Sequence, residues 1–174
     1  MKTQTAPPTD PPPDAMIALG SNRAWQGEPP ERVVRAAARA LGRFGPVRLS
    51  PLYDSPSWPD PSRPPYVNAV AALATRLTPS ALLAACQAVE AAFGRRRDPA
   101  DRNAPRTLDL DVLSVGGVVT HDPALTLPHP RLAERDFVLA PLRDLAPDWR
   151  HPVTGQDAGA LLSALPHVSA RRRG

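Results

Sequence analysis

Apolar positions recur along the chain with two periods, and segments of each kind alternate. Met16-Ile17-Ala18-Leu19, closed by Gly20, is a short apolar run that reads as a strand. Val33, Val34, Ala37, Ala38, Leu41 and Phe44 return every three or four residues, which predicts a helix over 30–44 with one apolar face. Pro29 and Pro30 suit its first turn, and Gly45-Pro46 stops it. Residues 47–53 alternate as a strand, 54–65 are a proline-broken loop, and 66–76 read as another strand. Thr78-Pro79 pairs a capping residue with a proline at the first helical position. Leu82, Leu83, Cys86, Val89, Ala92 and Phe93 then form an apolar face, and Gly94 ends the helix. Residues 107–114 alternate strictly, with Gly116-Gly117 offering a hairpin turn into Val118-Val119. Phe137 to Leu145 reads as a short helix.

In chain order these segments are β-α-β-β-α-β followed by additions. That order predicts an α+β fold of the ferredoxin-like kind, an antiparallel sheet with helices packed on it and extra C-terminal helix or hairpin elements. A length of 174 residues suits one domain with its own core. Residues 1–14 carry five prolines and no large apolar side chain, so a disordered tail is expected there. The domain itself is expected over 15–166, with a frayed basic end over 167–174, and Met16 offers an alternative start.

Composition narrows the function classes. Apolar runs are too short to span a bilayer, and no charged and apolar leader follows Met1. Cys86 is the only cysteine, which excludes a disulfide framework and a cysteine metal cluster. A reducing cytoplasm and a monomer are the expected setting. Lys2 is the only lysine among 21 basic residues, and the net charge is +4. A Walker A loop needs a lysine that the domain does not have. Any phosphate chemistry must therefore run through arginine, which grips phosphate with two parallel hydrogen bonds.

The sharpest chemical feature is Asp109 with Asp111. Side chains two apart on a strand share a face, so Leu108, Leu110 and Val112 point one way and both carboxylates the other. Such a pair suits either a solvated sheet face or a divalent cation shared with phosphate oxygens. Arg95, Arg96, Arg97, Arg102 and Arg106 lie in the loop that runs into this strand, as a polyphosphate site requires. Tyr66 and Asn68 also share a strand face; a flat ring beside an amide suits a heterocycle with amide-like edges, as well as an ordinary core position. His129 sits in a loop between Pro128 and Pro130 and is a possible phosphate donor.

The segment Arg102-Asn103-Ala104-Pro105-Arg106-Thr107-Leu108-Asp109-Leu110-Asp111-Val112-Leu113 closely resembles the signature of the hydroxymethyldihydropterin pyrophosphokinases. Further segments resemble that family in the expected order: Ile17-Ala18-Leu19-Gly20-Ser21-Asn22, Tyr53-Asp54-Ser55-Pro56, Tyr66-Val67-Asn68-Ala69, Glu90 with Gly94-Arg95, and Leu127-Pro128-His129-Pro130-Arg131 with Arg135 and Phe137. The likeness spans about residues 16–165. It implies transfer of pyrophosphate from ATP to 6-hydroxymethyl-7,8-dihydropterin, giving AMP, in folate biosynthesis. By the same resemblance Asp109 and Asp111 hold two Mg²⁺ ions, with Arg102 and Arg106 completing the catalytic set. Arg95, Arg97, His129 and Arg135 are implied for the triphosphate. Gln87, Glu90, Val112 and Thr126 fall at nucleoside contacts. Tyr66 and Phe137 would sandwich the pterin, and Asn68 with Ser55, Pro56 and Trp58 would read its edges. Asp111 is a candidate acceptor for the hydroxyl proton. The chain departs from the pattern at Ser55, often threonine, and at Asn103, Ala124 and Pro130.

Implied partners are thus ATP and the pterin alcohol, with no nucleic acid and no membrane. The rival readings are a ferredoxin-like nucleic-acid-binding module, supported by the basic charge, and a nucleotidyltransferase, which also uses an Asp-x-Asp strand. Loops 94–105 and 55–65 are expected to act as lids over the substrates.

Overall fold

The computed structural model describes residues 14–58, 60–96, 101 and 104–174. The Pro-rich tail up to residue 13, Arg97, Arg102 and Asn103 lie outside the described residues. The chain runs β1 (Asp14–Ser21), α1 (Pro30–Leu41), β2 (Val47–Leu49), β3 (Tyr53–Ser55), β4 (Tyr66–Ala74), α2 (Pro79–Ala92), β5 (Asp109–Val115), β6 (Thr120–Asp122), β7 (Leu125–Leu127), α3 (Asp136–Leu145), α4 (Ala158–Ser163) and β8 (Arg171–Arg172). The main sheet has the order β5-β1-β4-β3-β8, with β2 also on β4, and its pairings are antiparallel. This is the predicted ferredoxin-like arrangement.

Two cores follow from strand alternation. Ala15, Ile17 and Leu19 on β1, with Leu110 and Val112 on β5, pack under Val33, Val34, Ala37 and Leu41 of α1 and Leu82, Cys86 and Val89 of α2. On the opposite face Met16, Val70, Ala72 and Leu113 pack against Val138, Leu139 and Leu142 of α3 and Leu161 and Leu162 of α4. Leu113 shares this face with Asp109 and Asp111 by alternation, and a register shift between Met16 and Ile17 then turns Val115 back into the first core. α3 and α4 cover only one end of it, and the other end carries Asp109, Asp111, Asn68 and Tyr66.

The first helix, expected over 30–44, ends at Leu41 and closes in a 3₁₀ turn over Gly42–Phe44, whereas both ends of α2 are fixed as the sequence suggests. The Thr78 hydroxyl accepts from the Ala81 N–H at 3.3 Å, and Gly94 leaves α2 with φ +71°. A side chain at Gly94 would also meet the Trp25 indole nitrogen at 2.5 Å, so this turn needs glycine twice over.

Several expectations are corrected. Residues 47–53 are two strands, because Pro51 has no N–H for the ladder. Ser50 fills the gap, donating its N–H to the Val70 carbonyl at 2.9 Å while its hydroxyl accepts the Val70 N–H at 3.0 Å. The turn at Gly116-Gly117 forms, but Val118 and Val119 stay exposed and the hairpin is β6–β7 instead. The Asp122 carboxylate sets that hairpin's turn by accepting from the Ala124 N–H at 2.8 Å. The C-terminal residues are not frayed: Arg171 and Arg172 pair with Asp54 and Tyr53, and the Arg173 N–H donates to the Leu52 carbonyl at 2.9 Å. α4, with two adjacent buried leucines and an Asp157 cap, is too short to show a helical period in the sequence.

Candidate active site

The strand register builds the floor of a cleft. Gly20 on β1 lies between Asn68 on β4 and Asp109 on β5, and Ala18 lies between Val70 and Asp111. Residues directly opposite one another share a face, so small side chains on the central strand separate the amide from the carboxylates. A cleft of about 430 Å³ opens above this floor. Ser55, Pro56, Trp58, Tyr66, Asn68, Arg106, Asp109, Asp111, Arg135 and Phe137 all line it. Two grooves on the outer side of α1 hold arginines but none of these carboxylates.

Each acidic residue is matched by arginine. Arg95 donates to the Asp109 carboxylate, to the Leu108 carbonyl at 2.7 Å and to Glu90 Oε1 at 3.2 Å. Arg106 donates to the other Asp109 oxygen at 2.8 Å. Burial pushes the Asp109 carboxyl up, but these two guanidiniums outweigh it and hold it below the ordinary carboxylate range. Arg135 donates to Asp111 Oδ2 at 3.1 Å. The buried Glu90 also accepts the Leu110 N–H at 2.8 Å, which links α2 to the Asp strand.

His129 is placed by its N–H, which donates to the Leu113 carbonyl at 2.8 Å. Its Nδ1 accepts the Arg131 N–H at 3.1 Å, so Nε2 faces Asp111 Oδ2, 3.9 Å away. Burial, with Arg135 and Arg131 nearby, lowers its pKa against the pull of Asp111, so near neutral pH the ring is an uncharged Nε2–H donor.

The heterocycle end is equally defined. Asn68 donates from its amide to the Ser55 hydroxyl at 2.9 Å, which fixes the amide and leaves its carbonyl toward the cleft. Burial raises the pKa of Tyr66, which remains an uncharged ring surface. Phe137 enters from the first turn of α3.

Other predicted residues fall outside the cleft. Val112 points into the first core, so only its backbone is offered on the site side. Gln87 is exposed on α2, and Thr126 lies on β7, which packs against α2. Arg96 is exposed.

Sequence reasoning missed Arg131, Asp136, His167 and Ser169, which also line the cleft. Arg131 stacks over Trp58, its guanidinium carbon 5.2 Å from the ring centroid. It also missed the role of Asn22. That side chain accepts the Arg106 N–H at 2.7 Å and donates to the Pro64 carbonyl at 3.0 Å and the Ser57 hydroxyl at 3.3 Å. One buried amide thus ties both flanking loops to the end of β1. The loops touch again where Arg63 meets Asp101 at 2.9 Å.

An antiparallel sheet that carries paired carboxylates, converging arginines and an aromatic–amide pocket defines an enzyme that moves a phosphate-bearing group onto a flat heterocyclic substrate. The 7,8-dihydro-6-hydroxymethylpterin-pyrophosphokinase family matches residues 16–147, and the chain belongs to that family. Its chemistry is that of a transferase, a pyrophosphokinase of folate biosynthesis. A 2-amino-4-hydroxy-6-hydroxymethyldihydropteridine pyrophosphokinase of Pseudomonas aeruginosa is 46% identical over 159 residues, 90% of this chain and 94% of the relative. One of Methylorubrum extorquens is 40% identical over 134 residues, 77% and 83% of the respective chains. Among solved structures, the Plasmodium falciparum HPPK-DHPS with pteroate shares the fold at a TM-score of 0.65 and 13% identity. That likeness covers 87% of this chain but only 42% of the Plasmodium chain.

Proposed function

We propose that the cleft transfers the pyrophosphoryl group of ATP to the hydroxymethyl oxygen of 6-hydroxymethyl-7,8-dihydropterin, giving the pterin diphosphate and AMP. The observation that carries this reading is one sheet face holding both halves of the chemistry: Asn68 and Tyr66 on one side of Gly20, and Asp109 and Asp111 on the other. The pterin lies against Tyr66 and Phe137, with its N–H edge toward the Asn68 carbonyl. This orientation sends the hydroxymethyl arm across Gly20 toward the carboxylates. The hydroxyl oxygen bonds to the β-phosphorus, the bond from that phosphorus to the bridging oxygen breaks, and its electron pair leaves on AMP. The hydroxyl proton passes to a basic oxygen in the cleft, for which Asp111 is the candidate on the chain.

Magnesium fits this site as part of a nucleotide complex. Among the described residues no group of three metal-ligating side chains occurs. Asp109 and Asp111 supply a minority of six ligands, and Mg²⁺ commonly takes the rest from phosphate oxygens and water. The Thr107 hydroxyl, two residues before Asp109, is buried without a partner among the described residues, an unmet hydrogen bond beside the acidic pair. When bound, two Mg²⁺ ions would neutralise triphosphate charge and polarise the β-phosphorus. Arg95, Arg106 and Arg135, now on the carboxylates, would then turn to phosphate oxygens, and His129 would donate from Nε2. Arg97 and Arg102, which lie outside the described residues, belong to the same proposal as further phosphate ligands. Gln87, Glu90, Thr126 and the Val112 backbone are proposed to form the nucleoside side, where α2 and β7 meet.

The chain is proposed to work as a cytoplasmic monomer on these two small molecules; among the described residues no helix is long and apolar enough to cross a membrane. A ferredoxin-like nucleic-acid binder would need an open aromatic sheet face. Here that face is divided between the cleft and the cover of α3 and α4. The test is to supply ATP, Mg²⁺ and the reduced pterin alcohol and measure AMP. Pterin-dependent AMP supports the reading, whereas release of inorganic pyrophosphate with a nucleotidylated product would replace it with nucleotidyl transfer.

A further inference from the structure

The C-terminal residues meet the cleft at a point the reaction depends on. Asp136, the first residue of α3, lies between Arg135, which holds Asp111, and Phe137, which walls the pterin pocket. Its buried carboxylate accepts from the Ser169 N–H, from the Ser169 hydroxyl at 3.0 Å and from the Ala170 N–H at 2.8 Å. Burial pushes this carboxyl up, and the donated bonds outweigh that and lower its pKa. Past Ala170 the chain adds β8 to the edge of β3. Arg173 then reaches Asp54 at 3.5 Å and Glu31 of α1 at 3.2 Å. β3 in turn pairs Ser55 with Tyr66. Residues 169–173 therefore run as a tie from the first turn of α3 to the strand beside Tyr66.

From this path we infer that the C-terminal strap is a positioning element that sets the gap between Tyr66 and Phe137, with Asp136 as its anchor, and that His167 and Ser169 close that end of the pterin slot. The two aromatic walls sit on different elements, one on β4 and one on α3. A helix start held only by packing can slide along the sheet. One held through a carboxylate that accepts three directed bonds cannot slide without leaving a buried charge unpaired. Stacking needs the slot to match the thickness of one ring, so a small shift of α3 weakens pterin binding before it touches the nucleotide.

The inference rests on the pterin assignment, and the experiment separates the two. The full-length protein, a chain ending at Val168, Asp136→Asn and Asp136→Ala are compared by steady-state kinetics, by equilibrium binding of the pterin alcohol followed through its fluorescence, and by circular dichroism. The truncated chain and Asp136→Ala are expected to raise the pterin KM by about tenfold or more, while the ATP KM changes by less than about twofold. Asp136→Asn keeps a neutral acceptor for the strap and should fall between these and wild type. Wild-type pterin affinity in a folded truncated chain, or equal rises in both KM values, overturns the strap's role. If the truncated chain and Asp136→Ala fail to fold, the pterin-to-ATP KM ratio of Asp136→Asn decides alone, and an unchanged ratio overturns the inference. A wild-type protein that binds no pterin refutes the substrate assignment instead. The strap is then judged by amide exchange over 137–140, which must quicken on truncation for the inference to stand.

Discussion

Replacing Arg95 with alanine removes one guanidinium from three acceptors at once: Glu90, the Leu108 carbonyl and Asp109. The Arg95 and Glu90 side chains are 10% and 5% exposed, so water cannot take over these bonds. Glu90 would keep the Leu110 N–H, and Asp109 would keep Arg106. Removing one partner of a buried ion pair costs about 3–5 kcal/mol because it leaves the other charge uncompensated. In a domain of this size that corresponds to a fall in Tm of about 6–20 °C. Adding Glu90→Gln should restore about 1–2 kcal/mol, since glutamine still accepts from Leu110 but carries no charge. Arg95→Lys should recover part of the loss, because all three bonds leave from the single nitrogen Nη1 and an ammonium also offers three N–H donors, though on a side chain one atom shorter. Urea unfolding of the four proteins measures each quantity. A loss below about 1 kcal/mol for Arg95→Ala, with no recovery in the double variant, would show that Arg95 is a solvated loop residue and refute the reasoning.

Asp109→Ala and Asp111→Ala should each abolish AMP formation while circular dichroism still reports the fold, and turnover in either variant would remove it from the reacting centre. Asp109→Ala should also lower stability, because Arg95 and Arg106 then lose their shared partner; a gain would mean that repulsion between the two carboxylates dominates. Tyr66→Ala and Phe137→Ala should raise the pterin KM by about tenfold, the size of a lost stacking contact, and leave the ATP KM nearly unchanged. Asp109 and Asp136 both have folded-state pKa values below the ordinary 3.8. Their contribution is therefore present above that value and lost as the pH falls through the depressed ones, so the unfolding free energy should decline with acid there. Asp136→Asn should flatten that decline, and an unchanged slope would mean that Asp136 titrates normally.

Much of the floor of the site was legible in the sequence because strand alternation is a strong local rule. Asp109 with Asp111, and Tyr66 with Asn68, each fell two residues apart on strands that formed where expected. Register was less visible: nothing local to β1 announces that Gly20 sits between Asn68 and Asp109. Arg95 reads as one of three consecutive arginines, and only the approach of Gly94 to Trp25 and the buried Glu90 turn it inward. Asn22 and Asp136 act through partners 84 and 34 residues away, distances at which sequence periodicity carries no signal. The strap was misread for the same reason. Three arginines at a chain end look solvated until β3 is seen to present an open edge beside Asp54 and Asp144. Residues 47–53 failed differently: Pro51 removes a ladder hydrogen bond and alternation changes phase there, so that Leu52 joins Val47 and Leu49 at the first core while Tyr53 enters the second.

The central claim, that pyrophosphate moves as one unit from ATP to the pterin hydroxyl, is tested most directly by following label from ATP carrying it at the β-phosphorus in one reaction and at the α-phosphorus in another. Incubated with the protein, Mg²⁺ and 6-hydroxymethyl-7,8-dihydropterin, the β-label must appear in the pterin product and the α-label in AMP, at equal rates. Label from the α-phosphorus in the pterin product, or β-label released as ADP or inorganic pyrophosphate, would contradict the account.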